Sequence, residues 1–378
     1  MHTHPHYGAL MNILLTNFHP GYCGGHASYI ETLLLAQEHI DVNFYVACPS
    51  SSQLFQNLKH ANFNNLIALD FPGKLKDYKL IASNLRKMNK LISKHNIHIV
   101  HTNGSSDNRM ALYCKWLLRS NIRIVHTRHH SHLIKNAISK FRLLNMNDAV
   151  IFVSASVFHT LNIPANTKNI FLIKNGIDLT RWNMRKNKES KDKSSINLAS
   201  IAGTADYKCW HHLILALKAL SEKKRQRFTV TIAGSKPDQT KIEKLCGRDY
   251  PAHLVTFADF TDKPEHLLAD VDADIGFVLS DSVETISFAC REMMAAGLPV
   301  IGSNFGGIAE NITDREDGWV VPTGDIAALS TILGDIADMS HNRLEKMKAS
   351  ARLKASKEFS RDKMIEQTCK VYRLVAGQ

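Results

Sequence analysis

Short apolar runs alternate with amphipathic stretches along most of the chain. In the first half, apolar runs of strand length occupy residues 12–18, 42–48, 97–103, 122–128, 149–154 and 169–178. Between them, apolar side chains recur at helical spacing, most clearly in residues 26–39, 79–95 and 107–120. Strands that alternate with helices are typical of βαβ units, so the pattern predicts a parallel sheet with helices on its faces.

The same rhythm restarts after a polar and charged segment, residues 185–195, that has no apolar periodicity. Strand-like runs follow at residues 196–203, 228–234, 254–260, 273–279 and 298–303, again separated by helical stretches. The pattern therefore predicts an α/β protein with two Rossmann-like, doubly wound domains. Because open parallel sheets bind ligands beyond the carboxyl ends of their strands, we expect these domains to face each other across a cleft.

The pattern also predicts how the chain is divided among its domains. We predict that residues 1–10 are a disordered extension or the remnant of a tag, and that residues 11–182 form the first domain. Residues 183–355 are predicted to form the second domain, and residues 356–378 a C-terminal helix that packs back on the first.

Composition narrows the class of protein. The 378 residues carry a formal net charge of +12, which suits nucleic acid, an anionic membrane surface or phosphorylated substrates equally well. The 7 cysteines include no CxxC pair, which argues against a disulfide framework or a zinc site and favours a reducing compartment. No segment approaches about 18 consecutive apolar residues, and the first ten residues are not a signal peptide. We expect a cytoplasmic protein whose membrane contact, if it has one, is peripheral.

One segment carries most of the chemical information. Glu284 and Glu292 enclose seven residues in the sequence ETISFACREMMAAGLPVIGSNFGG, residues 284–307. The strand at 273–279 ends shortly before Glu284, which we therefore place in a loop, whereas Glu292 lies one to two turns inside the following helix. The start of that helix offers backbone N–H groups and a favourable dipole, and both suit a phosphate.

Residues 284–307 resemble the EX7E region of glycosyltransferase family 4, a retaining family with the GT-B fold. The resemblance implies that Glu284 contacts hydroxyls of the donor sugar and that Glu292 accepts hydrogen bonds from the ribose. It also implies that the backbone of Thr285, Ile286 and Ser287 holds the diphosphate. Ile286 and Ser287 stand where the family usually has Phe-Gly, which predicts a different loop shape.

The family normally holds the diphosphate with an arginine and a lysine in a loop after the first strand of the second domain. Here residues 201–217, IAGTADYKCWHHLILAL, place Gly203 in that loop and Lys208 at the lysine position. The arginine position falls within residues 204–207, which are uncharged or acidic. The cation pair is therefore expected to be weaker than usual or completed by another part of the chain, since charge builds on the departing phosphate.

Three weaker motifs fit the same resemblance. Gly24 and Gly25 match a glycine loop before the first helix, where the backbone can approach a phosphate or sugar. His129 occupies the histidine position of a Thr-x-His motif that faces the donor sugar, and Asn175 belongs to an N-G-[VI]-D segment near the ligand. For His129 the alternatives are a basic acceptor-binding edge with Arg128 and His130, a plain loop histidine, or a metal site, which the family does not need.

A basic surface is predicted on the helix at residues 83–95. Arg86, Lys87 and Lys90 lie on it, and GT-B enzymes that act on lipid-linked acceptors often dock such a surface on an anionic membrane. A solvated helix face is the alternative. With Arg128 and His130, these residues form our candidate acceptor or membrane patch.

Together these motifs predict a metal-independent, cofactor-free hexosyl- or related glycosyltransferase. It would transfer a sugar from a UDP- or GDP-type donor to a glycan or lipid-linked acceptor in envelope polysaccharide or lipopolysaccharide synthesis. One alternative is a GT-B epimerase or hydrolase, which would turn over the donor without an acceptor. A basic nucleic-acid-binding protein is another, although no nucleic-acid recognition motif is present. A dehydrogenase is disfavoured because no GxGxxG motif follows the first strand.

Overall fold

The computed structural model describes residues 10–21, 24–38, 41–129, 134, 136–159, 161, 163, 167, 169–184 and 195–377. Most of the predicted extension and linker therefore lies outside the described residues. The chain divides into two compact units, each with its own sheet. The first unit contains Met1–Asn175 and Asp362–Gln378, and the second contains Gly176–Arg361.

The first unit is built on a seven-stranded parallel sheet with the order β3-β2-β1-β4-β5-β6-β7. Reversal of strand order on either side of β1 is the mark of a doubly wound sheet. The strands are β1 Met11–Thr16, β2 Val42–Cys48, β3 Leu66–Ala68, β4 Ile99–Thr102, β5 Arg123–Arg128, β6 Ala149–Phe152 and β7 Ile170–Leu172. The helices are α1 Gly24–Leu34, α2 Gln53–His60, α3 Tyr78–Lys94, α4 Ser105–Trp116, α5 Ala137–Asn145 and α6 Ala155–His159.

Alternation along β1 explains why both faces of this sheet are covered. Ile13 and Leu15 pack into a cluster with residues of α1, whereas Leu14 faces the opposite cluster, which contains residues of α3 and α4. Successive strand residues point to opposite faces, so a strand with apolar side chains on both faces requires helices on both. The last helix of the chain, Arg361–Ala376, contributes Met364 and Tyr372 to the same cluster as Ile13.

The second unit has a six-stranded parallel sheet with the order β10-β9-β8-β11-β12-β13. Its strands are β8 Ile196–Ser200, β9 Phe228–Ala233, β10 Val255–Ala258, β11 Ile275–Val278, β12 Val300–Ser303 and β13 Gly318–Val321. Its helices are α7 Trp210–Lys218, α8 Glu222–Arg225, α9 Gln239–Cys246, α10 Pro264–Asp270, α11 Phe288–Ala295, α12 Ile326–Ala337 and α13 His341–Glu358, and the helix at Arg361–Ala376 is α14.

Close packing of α11 against β11 brings the motif helix onto the sheet. A Cβ atom added to Gly276 on β11 would lie 2.8 Å from the Met293 sulfur on α11. Met293 and Met294 are fully buried in the cluster that contains Val278 and Val300. This close packing places the first turn of α11 near the carboxyl end of β11.

The expected fold class is confirmed, and most predicted strands coincide with observed ones to within a few residues. The pattern missed the short strand β3, strand β13 and helices α2, α5 and α6. β3 has only three residues and no buried side chain, so it carries almost no periodic signal. The unit boundaries lie at residues 175/176 and 361/362.

The chain passes between the two units at these two boundaries. Gly176 allows the first and last segments of the second unit to touch each other. The Ile177 N–H donates to the Phe359 carbonyl at 2.8 Å, and the Arg361 N–H donates to the Ile177 carbonyl at 3.1 Å. A Cβ atom on Gly176 would lie 2.3 Å from the Arg361 Cα. The glycine in the N-G-I-D segment therefore has a packing role.

We predict that Gly176→Ala destabilises the protein by more than about 2 kcal/mol, because the new methyl group meets backbone atoms that cannot rotate away. Thermal unfolding of the purified variant would measure this loss. Gly21→Ala is the matched control, since a Cβ there meets nothing within 4 Å. Equal melting temperatures for Gly176→Ala and wild type would contradict the packing role.

Candidate active site

The loop between β11 and α11 presents a buried carboxylate. Glu284 is 9% exposed, and its Oε2 atom lies 2.6 Å from the Lys208 Nζ. The Ser280 hydroxyl donates to the same oxygen at 3.1 Å. The structure therefore brings together two of the predicted catalytic side chains, which are 76 residues apart in the chain.

Two glycines shape this loop by direct backbone contact. A Cβ atom on Gly306 would lie 1.9 Å from the Glu284 carbonyl oxygen, and one on Gly307 would lie 2.0 Å from the Thr285 carbonyl oxygen. Gly306 also has φ +53°, a left-handed conformation that favours glycine. The Gly-Gly pair at the end of the motif is therefore needed to position Glu284.

Two buried polar side chains that the sequence pattern did not single out, Asn311 and Arg291, stabilise the loop by hydrogen bonds. The Asn311 Nδ2 donates to the Ile286 carbonyl at 2.8 Å and to the Gly307 carbonyl at 3.0 Å. The Arg291 Nε donates to the Asn311 Oδ1 at 2.9 Å, and burial lowers the pKa of Arg291 to about 10. A charged residue within the apolar sequence FACREMMAA was the available signal.

The first turn of α11 provides a suitable place for an anion. Ser287 precedes the helix in a left-handed conformation, with φ 49°, and its hydroxyl accepts from the Cys290 N–H at 3.4 Å. The first N–H groups of an α-helix have no intrahelical acceptor, and the dipole concentrates positive charge there. Thr285 and Ile286 lie immediately before this turn, as the motif predicted.

Glu292 is the fifth residue of α11 and is partly buried. Burial raises its pKa to about 7, which Arg181 opposes and Glu265 reinforces. Arg181 is itself held by Glu265, with 2.8 Å between Nε and Oε2. The second carboxylate of the motif is thus a group that changes charge near neutral pH.

The loop that carries Lys208 is anchored on both sides. Gly203 has φ +87° and ends the turn after β8, and the Trp210 indole N–H donates to the Thr204 carbonyl at 3.1 Å. Lys208 ends a short 3₁₀ turn, Asp206–Lys208, just before α7. Asp206, within the segment where the family has its arginine, forms an ion pair with Lys241.

In the first unit, His129 follows β5 directly and is buried, with 8% exposure. Its Nε2 atom lies 2.9 Å from the Asn103 Oδ1, and its ring centroid lies 4.3 Å from that of His26. Gly24 and Gly25 are the first two residues of α1 and precede His26 directly, so they lie within the helix and not in the predicted loop before it. Arg128 ends β5, and burial lowers its pKa.

The remaining predicted residues are more dispersed. Asn175 is buried at the last position of the first unit. Arg86, Lys87 and Lys90 are exposed on α3, whose opposite face buries Met88. His130 lies outside the described residues. In the described part of the chain, no group of three or more His, Cys, Asp or Glu side chains is arranged to hold a metal ion.

Two Rossmann-like units, each with a parallel sheet and interleaved helices, have the architecture of the GT-B class of glycosyltransferases. The model for Glycosyltransferase Family 4 matches residues 23–181, and that for Glycosyl transferases group 1 matches residues 181–354. The chain belongs to glycosyltransferase family 4.

Comparison with individual proteins supports this assignment. The chain is 26% identical over 209 residues to the putative colanic acid biosynthesis glycosyltransferase WcaL of Salmonella typhimurium, covering 53% of this chain and 50% of WcaL. The match therefore spans about half the length of this curated relative.

Solved structures align over almost the whole chain. A glycosyltransferase from Rickettsia africae has a TM-score of 0.81 at 17% identity, with 97% of this chain and 98% of that one covered. Anabaena Alr3699/HepE in complex with UDP has a TM-score of 0.75 at 16% identity, with 96% and 99% covered. Identities this low support the fold alone.

We predict that Glu292→Gln stabilises the protein at pH 8. Between the ordinary carboxyl pKa and about 7, Glu292 is protonated in the folded state but ionised in the unfolded state. The stability of the wild type therefore falls as the pH rises through this window. Glutamine avoids burying the charge, and we expect a gain of about 1–3 kcal/mol at pH 8 that disappears near pH 4.

Thermal or urea unfolding at both pH values would measure this gain. The exposed Glu316→Gln serves as the control for removing one charge. A gain for Glu292→Gln that is the same at pH 4 and pH 8 would contradict the shifted pKa.

Proposed function

We propose that this protein transfers a sugar from a nucleoside diphosphate sugar, of the UDP or GDP type, to a hydroxyl of a glycan or lipid-linked acceptor. The observation that carries the proposal is the Lys208–Glu284 pair, 2.6 Å apart, in which Glu284 lies in the loop that leads to the first turn of α11. This arrangement combines an acceptor for sugar hydroxyls with a cation and a helix dipole for a diphosphate.

Lys208 serves the diphosphate, and its pairing with Glu284 holds the ammonium in place. An ammonium group has three N–H donors, so it can keep Glu284 and still donate to a phosphate oxygen. As the sugar–phosphate bond breaks, negative charge builds on the departing phosphate, and a cation fixed beforehand stabilises that charge. The positive start of α11 adds to it, so no metal ion is required for charge neutralisation.

Glu284 binds hydroxyls of the donor sugar. Its second carboxylate oxygen accepts hydrogen bonds from sugar hydroxyls while the first keeps Lys208 and Ser280. The backbone contact with Gly306 fixes where this carboxylate lies. A rigid acceptor favours one orientation of the sugar and therefore contributes to turnover as well as to binding.

Glu292 binds the ribose, because a carboxylate can accept hydrogen bonds from two neighbouring hydroxyls, as in dinucleotide sites. Burial raises the pKa of Glu292 to about 7. Hydrogen bonds donated by the ribose hydroxyls would favour the ionised form of this carboxylate. Nucleotide binding is thus expected to release a proton when the solution pH lies near 7.

The transfer retains the anomeric configuration and needs no carboxylate nucleophile. The bond between the anomeric carbon and the diphosphate breaks, and the acceptor oxygen bonds to that carbon from the same face. The acceptor proton moves to the departing phosphate oxygen. In this scheme His129 hydrogen-bonds to the sugar and is not changed chemically. A retaining two-carboxylate glycosidase, in contrast, would require one carboxylate as a nucleophile and the other as an acid.

Envelope polysaccharide or lipopolysaccharide assembly is the proposed role, in agreement with the name of the WcaL relative. The exposed Arg86, Lys87 and Lys90 on α3 would dock on an anionic, cytoplasmic-side membrane surface where a lipid-linked acceptor is found. Among the described residues, no helix is both long and apolar enough to span a bilayer, so this contact would be peripheral.

A thermal-shift panel of nucleoside diphosphates and their sugars tests the donor class. A ligand at about 100 times its Kd stabilises the folded state by about 2.7 kcal/mol, a shift of several degrees. We expect a response to UDP or to GDP compounds but not to both. No response to any nucleotide, or salt-sensitive binding of nucleic acid instead, would contradict the proposal. Rapid donor turnover without any acceptor would favour an epimerase or hydrolase.

We predict that Glu284→Gln and Lys208→Gln each lower the rate of transfer about 10²–10³-fold, because each removes a group that acts on the reacting sugar phosphate. Glu284→Gln should leave the Kd for the nucleoside diphosphate within a few-fold, whereas Glu292→Ala should weaken it about tenfold or more. Kinetics and calorimetry would separate these effects.

Lys218→Gln is the matched control, since Lys218 on α7 also pairs with a carboxylate, Asp249, at 2.5 Å. It should leave transfer unchanged. A normal rate for Glu284→Gln would exclude the role given to that residue.

We predict that reversing three charges on α3, with Arg86→Glu, Lys87→Glu and Lys90→Glu together, lowers binding to vesicles of anionic lipid. At about 1 kcal/mol for each basic residue near the surface, the partition coefficient should fall roughly 100-fold or more. Vesicle sedimentation measures it. Reversal of three exposed basic residues in the second unit, Lys223, Arg343 and Lys346, should change it far less, and equal losses would exclude α3 as the docking surface.

A further inference from the structure

We infer that Asn103 is a positioning residue that holds His129 in the tautomer with its proton on Nε2. Asn103 follows β4 and His129 follows β5, and these strands pair in parallel. The Asn103 Oδ1 lies 2.9 Å from the His129 Nε2, and both residues are buried, with 1% and 8% exposure.

The orientation of the Asn103 amide is decided by its other hydrogen bond. Its Nδ2 atom lies 3.0 Å from the backbone carbonyl oxygen of Thr16, and a carbonyl can only accept. The amide nitrogen must therefore point at Thr16, which leaves the carbonyl oxygen for His129. Because that oxygen also can only accept, the His129 Nε2 must carry a proton.

A buried carboxylate holds Asn103 in this position. The Asp107 Oδ2 accepts from the Asn103 backbone N–H at 2.9 Å and from the Thr16 hydroxyl at 2.6 Å. Asp107 lies in the first turn of α4 and is fully buried. Gly104 allows the tight turn between them, since a Cβ there would lie 2.1 Å from the Phe18 ring.

Ring packing restricts the plane of His129 as well. The centroids of His129 and Tyr29 lie 4.8 Å apart in an edge-on contact, and His26 lies on another side at 4.3 Å. The Nε2–H bond to Asn103 and the two packed rings therefore hold the imidazole of His129 in one orientation.

An amide at residue 103 also has a different electrostatic effect on His129 from that of a carboxylate. An aspartate would pair with a protonated imidazole and favour the cation, whereas the asparagine carbonyl fixes the same geometry without adding charge. A role for this geometry in substrate binding rests on the proposed function, but the hydrogen bond between Asn103 and His129 does not.

The direct test is a long-range ¹H–¹⁵N spectrum of histidine-labelled protein, with the His129 signals assigned from a His129→Gln sample. We expect the Nε2–H pattern in the wild type and a mixture of tautomers in Asn103→Leu. In Asn103→Asp, the imidazolium should persist to higher pH. A wild-type spectrum of the Nδ1–H form would overturn the inference, whether or not the variants fold.

Kinetics tests the consequence for transfer. Asn103→Leu should lower kcat about tenfold, the equivalent of one lost hydrogen bond, and leave the Kd of the nucleoside diphosphate unchanged. Asn108→Ala is the matched control, because Asn108 on α4 is also a buried asparagine but binds Thr102 and Asn147. It should carry a similar folding cost with little change in kcat.

Two outcomes separate this inference from the proposed function. Full activity in His129→Ala would remove His129 from the proposed reaction even if the tautomer is the expected one. Loss of activity in His129→Ala, together with unchanged kcat and an unchanged tautomer in Asn103→Leu, would refute the positioning role and leave the proposed function intact.

Discussion

Close contact between two backbone segments in the second unit determines the geometry of its site. Gly306 and Gly307 lie directly on the carbonyl groups of Glu284 and Thr285, where a single Cβ atom would not fit. The loop can therefore take one path between β11 and α11. The Lys208–Glu284 pair, the turn at Ser287 and the position of the helix start all follow from that path. Because the pair is mostly buried, removing either partner would leave a costly uncompensated charge.

The first unit uses a different device at its strand ends. There, a chain of buried hydrogen bonds runs from Asp107 through Asn103 to His129, and a second one joins His101 to Thr127 and Tyr372. Burial raises the pKa of Asp107 to about 7 and lowers that of His101 to about 3, so both networks contain groups whose charge state depends on their surroundings. Rigid polar layers of this kind orient side chains without moving the backbone.

The two units have the same architecture but carry different side chains at their strand ends. In each, polar side chains gather where parallel strands end and helices begin, as expected for open α/β sheets. The second unit offers positive charge at α11 and Lys208, which suits an anionic diphosphate. The first places the amide of Asn103, His129 and the neighbouring ring of Tyr29 together near its strand ends.

The sequence by itself determined the fold class, the positions of most strands and the placement of Glu284 before α11 and Glu292 within it. These follow from local apolar periodicity and from a motif whose residues are close in the chain. Only the tertiary structure decided that Lys208 pairs with Glu284, that Arg291 and Asn311 brace the loop, and that Asn103 orients His129. Such contacts join residues that are 20 to 76 positions apart. No local pattern encodes them, because they depend on how strands and helices from separate segments pack side by side.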